Sequence, residues 1–111
     1  MTAYTTIESV SASPQITNNA AAGWGFTMWS DKLDDEAPHR LVLERLATAH
    51  PEACIKLPPY DRYEDYVETN AEWNGTTIAI YYETILSYLR LWSPDRTAVS
   101  AFREALLPFV K

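Results

Sequence analysis

Apolar and polar residues alternate along two runs, 66–73 and 76–83, that meet at Asn74-Gly75. That dipeptide suits the positive φ angles of a two-residue type I′ loop, so the runs are expected to fold back on each other as a hairpin. The loop fixes the register. Counting outward sets Trp73 against Thr76, Ala71 against Ile78, Thr69 against Ile80 and Val67 against Tyr82 on one largely apolar face. The other face takes Glu72 opposite Thr77, Asn70 opposite Ala79, Glu68 opposite Tyr81 and Tyr66 opposite Glu83. Turn chemistry and alternation are separate cues, and their agreement is the mark of a specified register.

Residues 87–92 extend the pattern as a third antiparallel strand, with Leu89 and Leu91 inward and Tyr88, Arg90 and Trp92 outward. Ile78, Tyr82, Ile85, Leu89 and Trp92 also fit helical spacing. The strand is preferred because Ser93-Pro94-Asp95 restarts a helix at once, with Ser93 as N-cap, Pro94 in the first turn and Asp95 against the macrodipole. Val99, Phe102, Leu106 and Phe109 then form one stripe, expected to pack on the apolar face of the sheet, and Pro108 ends the helix early. Upstream, Tyr4 to Val10 and Trp24 to Trp29 read as strands on either side of a Ser/Thr/Asn/Ala-rich stretch, the second with a tryptophan on each face. Asp34-Asp35-Glu36-Ala37-Pro38 opens a mid-chain helix whose Leu43, Leu46, Ala47 and His50 share a stripe, and Pro51 should stop it. Pro58-Pro59 marks an extended connector. The expected architecture is a single α+β domain over residues 1–111. It has a small antiparallel sheet around the Asn74-Gly75 hairpin, one mid-chain helix, and a C-terminal amphipathic helix packed on one face.

Composition narrows this picture. A chain of 111 residues, 47% of them apolar, buries roughly two-thirds of its unfolded surface in one core and needs no disulfide. The single cysteine, Cys54, fits a reducing cytosol. The start Met1-Thr2-Ala3-Tyr4-Thr5-Thr6-Ile7-Glu8 lacks the basic and apolar regions of a secretory signal, and no apolar run approaches the ~20 residues of a membrane span. A cytoplasmic protein is expected. Nine basic against fifteen acidic side chains leave a charge of −6. That balance weighs against nucleic acid and against an anionic membrane, because both are held by Lys and Arg. The acidity is regional: residues 31–72 hold eleven acids and five bases, and the remainder four of each.

Familiar catalytic patterns are missing. Glycines stand only at 23, 25 and 75, which makes neither a P-loop nor a dinucleotide fingerprint. Cys54, His39 and His50 are too few for a structural zinc site, and His50-Pro51-Glu52 matches the H-x-E half of a zinc deaminase without the Pro-Cys-x-x-Cys half. Cys54 with His50 fits a small buried hydrophobe and a helix-end side chain better than a nucleophile and base. Glu68 and Glu83 lie on an open sheet face instead of the cleft that acid/base work needs. No catalytic residue, metal ligand or cofactor is expected, and the reading is of a protein that is not an enzyme.

What remains is a surface. Tyr66, Tyr81, Tyr88 and Trp92 interleave with Glu68, Glu72, Glu83 and Arg90, just after Tyr60-Asp61-Arg62-Tyr63-Glu64-Asp65 with its acids Asp61, Glu64 and Asp65. Tyr, Trp and Arg are the usual anchors of protein interfaces, and carboxylates around them steer a basic partner. The plainer alternative is that the N-terminal strand or the first helix covers this face.

The segments Trp73-Asn74-Gly75, Ile80-Tyr81-Tyr82-Glu83 and Tyr88-Leu89-Arg90-Leu91-Trp92-Ser93-Pro94-Asp95, followed by a closing helix, make about residues 63 to 111 similar to small bacterial immunity proteins. Such proteins belong to polymorphic-toxin systems of the contact-dependent or type VI secretion kind. The resemblance implies a cytosolic protein that binds a cognate toxin with a basic surface and occludes its active site. Two other readings stay open. One is a small enzyme or ligand-binding protein with a pocket lined by Trp24, Trp29 and Trp73 near Cys54. The other is a homodimer joined through the aromatic sheet face.

Overall fold

The computed structural model describes residues 4–14, 22–31, 37–59 and 65–110. The strands are β1 (Tyr4–Ile7), β2 (Ser11–Ala12), β3 (Trp24–Ser30), β4 (Tyr66–Trp73), β5 (Thr76–Glu83) and β6 (Tyr88–Ser93). The helices are α1 (Ala37–Ala49) and α2 (Arg96–Leu106), and short 3-10 turns cover Pro51–Ala53 and Leu107–Phe109. All strands pair antiparallel in one sheet of order β1-β3-β6-β5-β4, with β2 also on β3. The α+β class with one mid-chain and one C-terminal helix is the one the pattern predicts.

The hairpin has the expected register at all eight pairs from Tyr66↔Glu83 to Trp73↔Thr76. Asn74 and Gly75 both take positive φ, 52° and 80°, as a type I′ loop requires. Residues 88–92 follow as a strand, so the helical alternative falls, and Ser87 belongs to the turn before it. β6 runs one residue further, because Ser93 pairs with Trp24. This shifts the start of α2. The N-cap is Asp95, not Ser93: its Oδ1 accepts from the Thr97 and Ala98 amides at 2.9 and 3.4 Å, while the Ser93 hydroxyl accepts from the Asp95 amide. Helix α1 carries Pro38 in its first turn and stops at Ala49 before Pro51, as expected; Asp34, Asp35 and Glu36, which should open it, lie outside the described residues.

Both helices cover one face of the sheet. Val42, Leu43 and Leu46 of α1 and Val99, Phe102 and Leu106 of α2 share a core with Phe26, Met28, Ile78, Ile80, Tyr82, Leu89 and Leu91. A polar knot pins the corner of this core. The His39 ring, fully buried, lies 2.7 Å from the Tyr4 hydroxyl through Nδ1 and 3.0 Å from the Ser87 hydroxyl through Nε2. Burial pushes the Tyr4 phenol far above its usual pKa, which keeps it neutral. Ser87 sits in the left-handed region, φ 57°, and its carbonyl accepts from the Ser30 amide at 2.8 Å, so the β5–β6 turn is fastened to the end of β3.

Candidate functional site on the uncovered sheet face

Alternation along the strands puts a second set of residues on the face away from the helices. Pairing aligns Tyr66 with Glu83, Glu83 with Tyr88, and Tyr88 with Trp29, a rank that crosses β4, β5, β6 and β3. The next rank is Glu68, Tyr81, Arg90 and Thr27. The aromatic rings join across the two ranks. Trp29 and Tyr88 lie 5.1 Å apart between centroids, Tyr88 and Tyr81 6.0 Å, and Tyr81 and Tyr66 5.4 Å, the last two pairs stacked. Four strands thus contribute one ring each to a continuous row, at separations where aromatic pairs attract.

The row begins and ends in solvent. Trp29 is 37% and Tyr66 53% exposed, and the turn that joins β5 to β6 at the same end adds Ile85 and Leu86 at 51% and 55%. Tyr81 and Tyr88, in the middle, are half-buried. Burial raises the Tyr88 phenol above its ordinary pKa, and a hydrogen bond to the Glu83 carboxylate and its negative charge push further the same way. Tyr81 is raised too, by burial first and then by the charge of Glu83. Both phenols therefore stay protonated at neutral pH as donors beside a carboxylate. Glu68 and Glu72 are exposed on β4, and the Glu72 carboxylate accepts from the Thr77 hydroxyl at 3.0 Å.

Glu8 completes the rim at the Trp29 end. It follows β1, its amide donates to the Thr27 carbonyl at 2.9 Å, and its Oε1 accepts from the Thr27 amide at 3.1 Å. Its Oε2 accepts from the Trp29 indole N–H at 3.4 Å, which orients the ring.

Two of the residues expected at this surface lie under cover. Trp92 points outward from β6 as the alternation requires, yet only 7% of it is accessible. Its strand neighbour across the pair is Gly25, and a Cβ at Gly23 would collide with the ring. The indole N–H donates to the Ser13 carbonyl at 2.9 Å. Arg90 is drawn into the same seal, donating through Nη1 to the Thr27 hydroxyl at 3.0 Å and through Nη2 to the Ser13 hydroxyl at 2.6 Å. The N-terminal segment covers this half of the face, and among the described residues the other half is open. Trp92 is thus removed from the contact set, and Arg90 is committed inside the chain.

Asp65 is exposed at the foot of β4, where its carbonyl accepts from both the amide and the hydroxyl of Thr84. Asp61 and Glu64 lie outside the described residues. Trp29, Glu8, Ile85 and Leu86 were not singled out as contacts by sequence. For Trp29 the usable signal was a tryptophan on each face of 24–29.

The three tryptophans expected to line one pocket do not share a face. Trp24 and Trp73 belong to the helix side, where Trp24 carries the Arg96 guanidinium at 4.9 Å and Trp73 packs edge-on against Phe102, whereas Trp29 stands on the opposite face. Cys54 is exposed in a left-handed turn, and the His50 ring packs edge-on against Trp73 while its Nδ1 lies 3.2 Å from the Glu52 carboxylate. An open groove between α1 and the connector, lined by Arg40, Glu44, Thr48, Ile55, Leu57 and Pro58, contains none of the three tryptophans.

Among the described residues no three His, Cys, Asp or Glu gather as a metal site, and no helix is long and apolar enough to cross a membrane. Comparison with protein families, with curated proteins and with solved structures gives no match.

Proposed function

We propose that this chain is an immunity protein, a cytoplasmic inhibitor that holds a cognate bacterial toxin through the open half of its outer sheet face. The observation that carries the reading is the uninterrupted row Trp29, Tyr88, Tyr81 and Tyr66, open at both ends and bordered by Glu8, Glu68 and Glu83. Rings held by their neighbours lose little freedom when a partner covers them, so most of their burial goes into affinity. Carboxylates around them favour a basic partner and speed its approach. Occlusion of a toxin's active site asks for a rigid surface of this kind and for no chemistry of its own.

The acidic border also works against the homodimer. A two-fold contact sets the same patch against itself, which would bring Glu68, Glu72 and Glu83 of both copies together without cations between them.

Co-expression with the protein encoded next to this chain tests the proposal. The expected result is protection of the host from that protein's toxicity and a one-to-one complex on size exclusion. Absence of both protection and complex with every neighbouring toxin overturns it.

A further inference from the structure

β4 is an outer strand of the sheet, eight residues long, and its pairing with β5 is unbroken from Tyr66 to Trp73. In a two-residue hairpin the pair beside the loop is hydrogen-bonded, and every second pair after it. Trp73, Ala71, Thr69 and Val67 therefore direct their N–H and C=O groups at β5. Those of Glu72, Asn70, Glu68 and Tyr66 point away from the sheet, and among the described residues no backbone group meets them. The connector before β4 is tied to it through the Thr69 hydroxyl, which donates to the Lys56 carbonyl at 2.8 Å from the helix side.

The opposite edge is built differently. There β1 and β2 are four and two residues long, the register slips between Tyr4 and Thr6, and the Glu8 carboxylate takes the Thr27 amide. Interruption of this kind blunts an edge against further pairing. Among the described residues, only side-chain charge guards the backbone of β4. Glu68 and Glu72 flank the unmatched groups, and a second copy pairing here would crowd four carboxylates onto one face. A strand with cations at the matching positions meets no such penalty. At the foot of the same edge the aromatic row stops at Tyr66, 53% exposed, where a planar guanidinium has a ring to stack on.

We propose that β4 accepts an extended, arginine-bearing segment of the protein partner as an added strand. Backbone bonds to Tyr66, Glu68, Asn70 and Glu72 give the grip, and arginines opposite Glu68 and Glu72 select it. This rests on the reading of a basic toxin as partner and names how one part of that partner is held.

The probe is the capped peptide Arg-Val-Thr-Val-Arg-Val-Tyr, added to the full-length chain while backbone amide shifts are followed by NMR. The expected result is a saturable shift confined to residues 65–73, absent with the peptide in which glutamate replaces both arginines. Asn70→Pro removes an outward N–H and no β5 bond, so it should weaken peptide binding about tenfold or more, the worth of one lost hydrogen bond with its neighbours disturbed. Asn70→Thr should leave binding intact. Should Asn70→Pro fail to fold, Glu68→Lys/Glu72→Lys takes its place and is expected to reverse the preference toward the glutamate peptide. No shift at millimolar peptide, shifts on the helix side, or equal binding of both peptides overturns the proposal. Such a failure beside intact, Tyr66- and Tyr81-dependent toxin binding leaves the immunity reading standing; failure of the toxin to bind at all removes both.

Discussion

The outer face of the sheet has two halves made from the same residue types with opposite fates. In one, Trp92 and Arg90 lie beneath Ser13 and hydrogen-bond inside the chain. In the other, the rings of Trp29, Tyr88, Tyr81 and Tyr66 contact one another in a row, and the ends of the row stay in solvent. An aromatic ring and a charge on an outward strand position therefore do not by themselves make a contact surface. What decides is whether another part of the chain reaches them, and here glycines at 23 and 25 let the N-terminal segment and the indole close over one half.

The largest expected effect lies in the covered half. Trp92→Ala should lose about 3–5 kcal/mol of stability in denaturant titration, as for other buried large aromatics, because it empties the space that Gly23 leaves. Toxin affinity of the folded fraction should be unchanged. Tyr81→Ala, in the open half, should reverse this balance. Stability should fall by no more than about 1.5 kcal/mol, since two stacking partners are lost from a half-buried site, while binding weakens by about 2 kcal/mol or more. Equal losses of stability at the two positions would erase the distinction between the halves.

A smaller effect is expected from charge. Glu68→Lys with Glu72→Lys should slow association by about tenfold at low salt, and the difference from wild type in that rate should shrink as salt is raised. Stopped-flow rates at two ionic strengths are the check.

The smallest is a pH effect. The folded-state pKa values of Tyr81 and Tyr88 lie above the unfolded value of 10.0. Their contribution to stability is therefore complete below pH 10, falls as the unfolded chain releases protons above it, and is gone once pH has passed the folded values. Tyr88→Phe should flatten the alkaline limb of a melting-temperature profile without adding pH dependence near neutrality.

Much of the fold was legible because its strongest signals are local. The Asn74-Gly75 loop and the alternation on both sides fix eight pairs within eighteen residues, and the third strand follows from the next turn. The site was half legible for the complementary reason. Burial of Trp92 depends on Ser13, 79 positions away, and the Trp29–Tyr88 contact depends on β3 pairing with β6 across the whole middle of the chain. Neither distance leaves a mark in a short window of sequence. The shift of the N-cap from Ser93 to Asp95 has a similar origin, since Ser93 is taken by its pairing with Trp24.

The central proposal is that the open aromatic row is where a toxin is held. Its most direct test is the dissociation constant of the complex with the proposed toxin, the protein encoded beside this chain, measured for the wild type and for Tyr66→Ala/Tyr81→Ala at matched folded concentration. A rise of about a hundredfold or more is predicted, the scale of two interface anchors removed. A dissociation constant unchanged within a factor of about two, less than half a kcal/mol, would place the toxin on another surface and contradict the account.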